Sequence, residues 1–329
     1  AASPEPEDGF RPARIETRDG RTTLVDSAGE AHPLTDPRVL VLVPSMGDIG
    51  ARMLAAAMDH VGLRTVALPP PAEPELMLGR GATTCKECLP LQLTVGSLLR
   101  YLQEHPDREE GDLLVNFMPE TSGPCRFGQY GALTRAIVRN RRIPDLALLS
   151  LTAENGYAGF GVRFALRAWH AVVLSDVLDD MESAVLALAE DPDAALAELR
   201  AVGEDLCRGI ARDSLRQLRR RIAGAARRIA RIPRRGSIGD LPVVSLIGEI
   251  YVRRDGFSRR HLVERLSRMG YLVRIAPVAE WIHYCDYIVQ NRLVARSRPS
   301  DRIRNRLTCA VKDPFERGIR RRFRDCGFF

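Results

Sequence analysis

Lysine is nearly missing from this chain of 329 residues: Lys86 and Lys312 are the only two, so almost all of its 49 basic side chains are arginines. Together with abundant alanine, that bias reads as genome composition. The formal net charge of +7 therefore does not by itself call for a nucleic-acid partner, and none is expected. Long apolar runs are missing too, so no membrane-spanning helix and no membrane partner is expected. The opening AASPEPEDGF lacks the basic start and apolar centre of a secretory signal, and reads as the flexible tail of a cytoplasmic protein. There is no Walker phosphate loop, no serine nucleophile elbow and no G-x-G-x-x-G fingerprint, which removes the commonest ATPase, hydrolase and dinucleotide sites. The seven cysteines lack the dense spacing of a disulfide scaffold; in a reducing compartment such thiols serve as metal ligands or core fillers.

What is present suits a globular protein of two domains, with 45% hydrophobic and 28% charged residues. Residues 1–36 read as a tail followed by a small hairpin. PRVLVLVPS is an apolar run of strand length, and ARMLAAAMDHVG after it is a helix stopped by Gly62. The alternation continues with a strand at TVALPP, a helix near 95–104, a strand at DLLVNFMP, a helix near 129–140 and a strand at LALLSLT. Residues 37–176 thus read as an α/β domain with a doubly wound, Rossmann- or flavodoxin-like parallel sheet. A helical linker is expected over 177–235, punctuated by Asp191-Pro192 and stopped by Pro233. A second α/β domain is expected over 236–329, with LPVVSLIGEIY as strand, SRRHLVERLSRMG as a helix capped by Ser258 and ended by Gly270, and YLVRIAPV as strand. The remaining length is too short to complete that second domain, so the chain reads as a segment of something longer. The densest basic run, RQLRRRIAGAARRIARIPRR, has apolar residues at Leu215, Leu218, Ile222, Ala225, Ile229 and Ile232, the steps of one helical face. It reads as an amphipathic helix with a solvated arginine face; the alternative is a seat for nucleotide phosphate or an acidic protein.

In a parallel sheet, ligands collect in the loops beyond the carboxyl ends of the strands. Three unusual segments fall there: TTCKECLPLQ, FMPETSGPCRFGQYG and LTAENGYAGFG. The pair Cys85 and Cys88 is open to three readings: a metal half-site, a redox pair, or one ligand beside a bystander. A structural zinc would need a second such pair, and a redox pair should follow a strand directly, whereas GRGATT precedes this one. Winding of the sheet would make Cys88 and Cys125 neighbours in space. Thiols near helix N-termini are favoured as thiolates, the form that binds soft metals and iron-sulfur clusters. Lys86, Glu87, Glu120, Thr121, Ser122, Arg126 and Gln129 are the polar groups expected around such a site, with Glu154, Asn155 and Tyr157 lining it from the next loop; helix capping and loop closure are the alternative roles for each. Cys207, Cys285, Cys309 and Cys326 read as plain thiols, and His170 and His283 as packing residues beside tryptophans. Asp176, Asp179 and Asp180 read as a helix start.

Taken together, GRGATTCKECLPLQLTVGSLLRYL, NFMPETSGPCRFGQY, SLTAENGYAGFG, GEIYVRRDGFS and APVAEWIHYCDY resemble, in the same order, segments of the 2-hydroxyacyl-CoA dehydratase activase-related proteins. These are relatives of the D-component of 2-hydroxyglutaryl-CoA dehydratase and of benzoyl-CoA reductase subunits. The resemblance spans most of residues 37–290 and implies a cytoplasmic protein of anaerobic metabolism. It also implies a 4Fe-4S cluster, or a larger iron-sulfur cluster, held by cysteines between α/β domains. Relatives take one electron from an ATP-dependent activator and pass it to an acyl-CoA thioester. The K-E-C cysteine of the family corresponds to Cys88 and the G-P-C cysteine to Cys125. Cys85 stands where the family has glycine, which leaves it a bystander or a substitute metal ligand. A further family cysteine, in a segment resembling F-T-C-M-P-G, has no counterpart, since Cys309 and Cys326 lie in unlike sequence. Two alternatives stand beside this reading: a scaffold that docks a partner through the arginine helix, and a zinc domain using Cys85, Cys88 and Cys125.

Overall fold

The computed structural model describes residues 10–18, 21–106, 112–119, 125–150, 160–293 and 299–329. It divides into two compact units, 1–165 and 166–329.

The first unit opens with a three-stranded antiparallel sheet, β1 (Arg14–Arg18), β2 (Arg21–Val25) and β3 (Ala31–Pro33), in the order β1-β2-β3. This is the expected hairpin with one more strand. After it come β4 (Val39–Val43), α1 (Asp48–Asp59), β5 (Arg64–Ala67), α2 (Glu73–Ala82), α3 (Leu89–Glu104), β6 (Leu113–Phe117), α4 (Tyr130–Asn140) and β7 (Leu146–Leu149). The four strands pair in parallel in the order β5-β4-β6-β7. The fold is α/β, with a flavodoxin-like strand order whose reversal falls between β4 and β6. These central strands, VLVLV and LLVNF, are buried at every position, as strands covered on both faces must be. Leu40, Leu42, Leu114 and Leu146 form one apolar cluster with Leu98 of α3 and Val138 of α4, so both helices cover the same face.

Helix α2 was not legible in the sequence. Its EPELMLGRGA carries a proline in the first turn, where a missing N–H costs nothing, and two glycines. A Cβ on Gly79 would stand 1.8 Å from the Gln92 carbonyl oxygen, and one on Gly96 of α3 would stand 1.8 Å from that of Glu75. The two helices cross backbone to backbone through this reciprocal pair, which is why α3 starts at Leu89, earlier than its expected start near 95.

The second unit takes in most of α5 (Gly161–Leu188), a 28-residue helix. Then follow α6 (Pro192–Arg212), α7 (Leu215–Ile229), β8 (Val243–Leu246), α8 (Ile250–Arg254), α9 (Leu262–Arg268), β9 (Leu272–Ile275), α10 (Val278–Gln290) and α11 (Pro299–Arg324). Asp191 caps α6, and Ser214 forms a capping box with Gln217 on α7. β8 and β9 pair in parallel over a core of Val263, Val273 and Ile275.

Three local expectations are corrected. GEIY is not strand: Glu249 accepts from the Val252 N–H at 2.8 Å and starts α8. Ser258 does not cap α9; its N–H is taken by Asp255, and Arg260 and His261 turn through left-handed backbone before the helix begins. Asp176, Asp179 and Asp180 lie well inside α5 rather than at a helix start. Asp176 accepts from the backbone N–H groups of Val278 and Ala279, capping α10 from another helix, and it binds the buried Arg254 together with Asp179. Pro277 offers α10 no side-chain cap of its own, so a distant carboxylate fills the role.

Candidate metal centre

The loop 83–88 joins the α2–α3 crossing to the first turn of α3. Glu87 organises it: its carboxylate accepts from the Thr84 N–H and hydroxyl and from the Lys86 N–H. What burial it has raises its pKa, but these hydrogen bonds outweigh that and hold the Glu87 carboxyl below its usual range. Cys85 is exposed and lies at φ 61, a left-handed backbone that suits glycine. Its thiol reaches the Arg80 carbonyl oxygen at 3.7 Å.

Cys88 is half-buried and is the N-cap residue of α3. It packs against a cluster of Leu91, Val95, Leu99, Met118, Tyr130 and Ile137, and Phe127 packs there as well. Cys125 is exposed and caps the 3-10 turn Arg126–Gln129 that runs into α4. Neither N-terminus has a side-chain cap. Arg126 joins the two loops, donating from Nη1 to the Lys86 carbonyl oxygen at 3.3 Å. Gln129 is exposed at the start of α4. Glu120, Thr121, Ser122, Glu154, Asn155 and Tyr157 lie outside the described residues.

The sequence reading missed the polar atoms beneath this layer. Leu114, Asn116 and Met118 alternate onto one face of β6 and its continuation, which places Asn116 one step below Met118 of the Cys88 cluster. Asn116 is 1% exposed and, among the described residues, neither of its amide atoms has a hydrogen-bond partner. The buried hydroxyls of Ser45, just after β4, and of Thr83 are equally unpartnered. A lone asparagine in the apolar run LLVNF was the available signal.

Spacing discriminates between metals. Zinc bound by three thiolates at about 2.3 Å would hold the sulfurs about 3.8 Å apart. Cys85, Cys88 and Cys125 do not all lie within 4.8 Å of one another, so one ion does not fit the trio as arranged.

Among the described residues, one group does meet that spacing: Asp26, Glu30 and His32, at the β2–β3 turn. Here the atoms already serve one another. Arg38 donates to His32 Nδ1 at 3.0 Å, so His32 Nε2 carries the proton given to Asp26 at 2.7 Å. Asp26 also accepts from the Glu30 N–H at 2.8 Å.

His170 is buried with Nδ1 against the Leu166 carbonyl oxygen, and His283 stacks edge-on to Trp169 and pairs with Glu316. Among the described residues, no helix is long and apolar enough to cross a membrane. Comparison with family models, curated proteins and solved structures finds no match to the chain.

Proposed function

We propose that this chain binds a 4Fe-4S or larger iron-sulfur cluster through Cys88 and Cys125. In this reading it is a cytoplasmic electron-transfer component of a 2-hydroxyacyl-CoA dehydratase type of system, with an ATP-dependent activator as electron source and an acyl-CoA thioester as acceptor. The observation that carries it is the junction of the two cysteine loops: uncapped helix N-termini present Cys88 and Cys125 on loops tied by the Arg126 to Lys86 contact.

Bound there, such a cluster relays electrons singly. The chain's own part is to supply the two cysteine ligands, from the start of α3 and from the turn that runs into α4. Arg126 adds positive charge beside a net negative group, and Glu87 fixes the loop from which Cys88 projects. Asn116, Ser45 and Thr83 offer buried polar atoms that have no hydrogen-bond partner among the described residues. The first unit contains three of the seven cysteines, so a fully ligated cluster needs at least one ligand from outside it.

Anaerobic reconstitution with iron and sulfide should give a brown protein that bleaches with dithionite. Cys88→Ser and Cys125→Ser should each abolish iron retention, while Cys207→Ser, buried in α6, should leave it intact. Full iron content in Cys125→Ser, or stoichiometric zinc in place of iron after aerobic purification, would falsify the reading.

A further inference from the structure

Helix α7 carries more arginine than the fold employs. No acidic residue occurs between Asp213 and Asp240, and seven arginines fall within 216–231, as many charges as the whole chain's net of +7. Like charges four apart, such as Arg216 with Arg220 and Arg227 with Arg231, repel along a helix. Some of these arginines are used. Arg221 binds Asp205 at 2.6 Å and Asp213 at 2.8 Å, Arg228 binds Glu198 at 2.9 Å, and Arg219 lies 5.3 Å over the Phe315 ring. Arg220, Arg227 and Arg231 are exposed, and their side chains make no ion pair or hydrogen bond among the described residues.

Those three line an open groove of about 500 Å³ along α6 and α7, together with Gly224. At 3.6 residues per turn, positions 220, 224 and 227 of α7 share a sector of roughly 60° and span about 10 Å, and Arg231 follows in the turn just past the helix end. The middle of this line is a glycine that the chain itself does not need. Gly209, on α6, has a packing reason, since a Cβ there would stand 2.5 Å from Arg221 Cδ; a Cβ on Gly224 would meet nothing within 4 Å. A glycine inside a helix costs about 1 kcal/mol against alanine, yet here it keeps the backbone bare at the centre of an unpaired arginine row.

We propose that this row docks an acidic α-helix of a partner protein, crossing α7 at Gly224. Arg220 and Arg227, about 10 Å apart along α7, with Arg231 just beyond the helix end, exceed the reach of a single phosphate but match carboxylates recurring every three to four residues on one helix face. The absence of a side chain at the crossing point admits a second helix closer than the usual 8–10 Å. No aromatic side chain lines the groove, so the stacking that holds single-stranded nucleic acid has no platform.

The test measures fluorescence anisotropy of the full chain with a labelled helical peptide whose glutamates lie on one face. Saturable binding is expected, weakened about tenfold or more by combined Arg220→Ala, Arg227→Ala and Arg231→Ala and likewise by Gly224→Leu, which leaves the charge unchanged. Circular dichroism checks that the variants fold. A peptide with the same glutamates reversed to lysine tests the charge requirement without touching the protein, and should not bind. The proposal is overturned by the absence of saturable binding or by equal affinity for a peptide with dispersed glutamates. It is also overturned by unchanged binding in Gly224→Leu, or by tighter binding of duplex DNA or ATP.

Discussion

Cys85 shows how one residue's backbone can decide between chemical roles. At φ 61 it occupies a conformation that costs a residue with a Cβ about 1–2 kcal/mol. The position therefore answers to the turn that delivers Cys88, with no need for a sulfur. Cys85→Gly should raise the thermal midpoint by a few degrees and leave iron content after reconstitution unchanged. A loss of iron in that variant would instead make Cys85 a ligand. The resemblance ranks Cys88 ahead of Cys85; in the structure Cys85 has left-handed backbone and Cys88 stands at the N-terminus of α3.

At the scale of elements, glycines with the same local appearance have opposite meanings. Gly79 and Gly96 stand at the α2–α3 crossing, where any Cβ would collide with a carbonyl oxygen of the facing helix. Gly96→Ala should destabilise the first unit by about 2 kcal/mol or more, by forcing the helices apart. Gly224→Ala should raise stability by about 0.5–1 kcal/mol, the ordinary helix-propensity gain. Chemical denaturation of both variants checks the contrast, and an equal loss in the two would refute the assignment of space around Gly224. Neither outcome was legible in the sequence, because a glycine in a helical stretch looks alike whether its neighbour is another helix or solvent. The amphipathic reading of α7 was legible: Leu218, Ile222, Ala225 and Ile229 are buried, as their spacing required.

At the scale of the whole molecule, the two units respond to pH in opposite directions. On α5, burial pushes the Glu182 carboxyl up from 4.5 to about 7, with the nearby Asp179 and Glu264 adding to the rise and Arg259 and Arg200 opposing it. A raised carboxyl binds its proton more tightly folded than unfolded, so its contribution to stability is complete below about 4.5 and is lost as pH climbs through about 7. In the first unit, hydrogen bonds from Arg38 hold the Asp36 carboxyl down at about 2 against an ordinary 3.8, so that contribution is complete above 3.8 and fails only in strong acid. Between those ranges Asp36 is level, and Glu182 together with Asp180, which burial pushes up to about 6 on the same helix, sets a downward slope. Thermal unfolding should therefore show a stability loss from pH 5 to pH 7.5 that Glu182→Gln flattens in part; an unaltered slope would remove Glu182 as a source.

The sequence by itself determined the elements whose information is local. Continuous apolar runs made β4 and β6 central strands, and periodic apolar faces made α4 and α7 helices. The alternation placed the Cys125 segment correctly after β6, but it misplaced TTCKECLPLQ, which lies between α2 and α3 rather than directly after a strand, because α2 was not legible. Only the tertiary structure decided that Asp176 caps a helix about a hundred residues away, that α2 exists as the partner of α3, and that Asn116, Ser45 and Thr83 are buried without partners among the described residues. The physical reason is one of range: burial periodicity is written in adjacent residues, whereas a cap, a close crossing or an orphaned amide exists only once distant segments have been brought into contact.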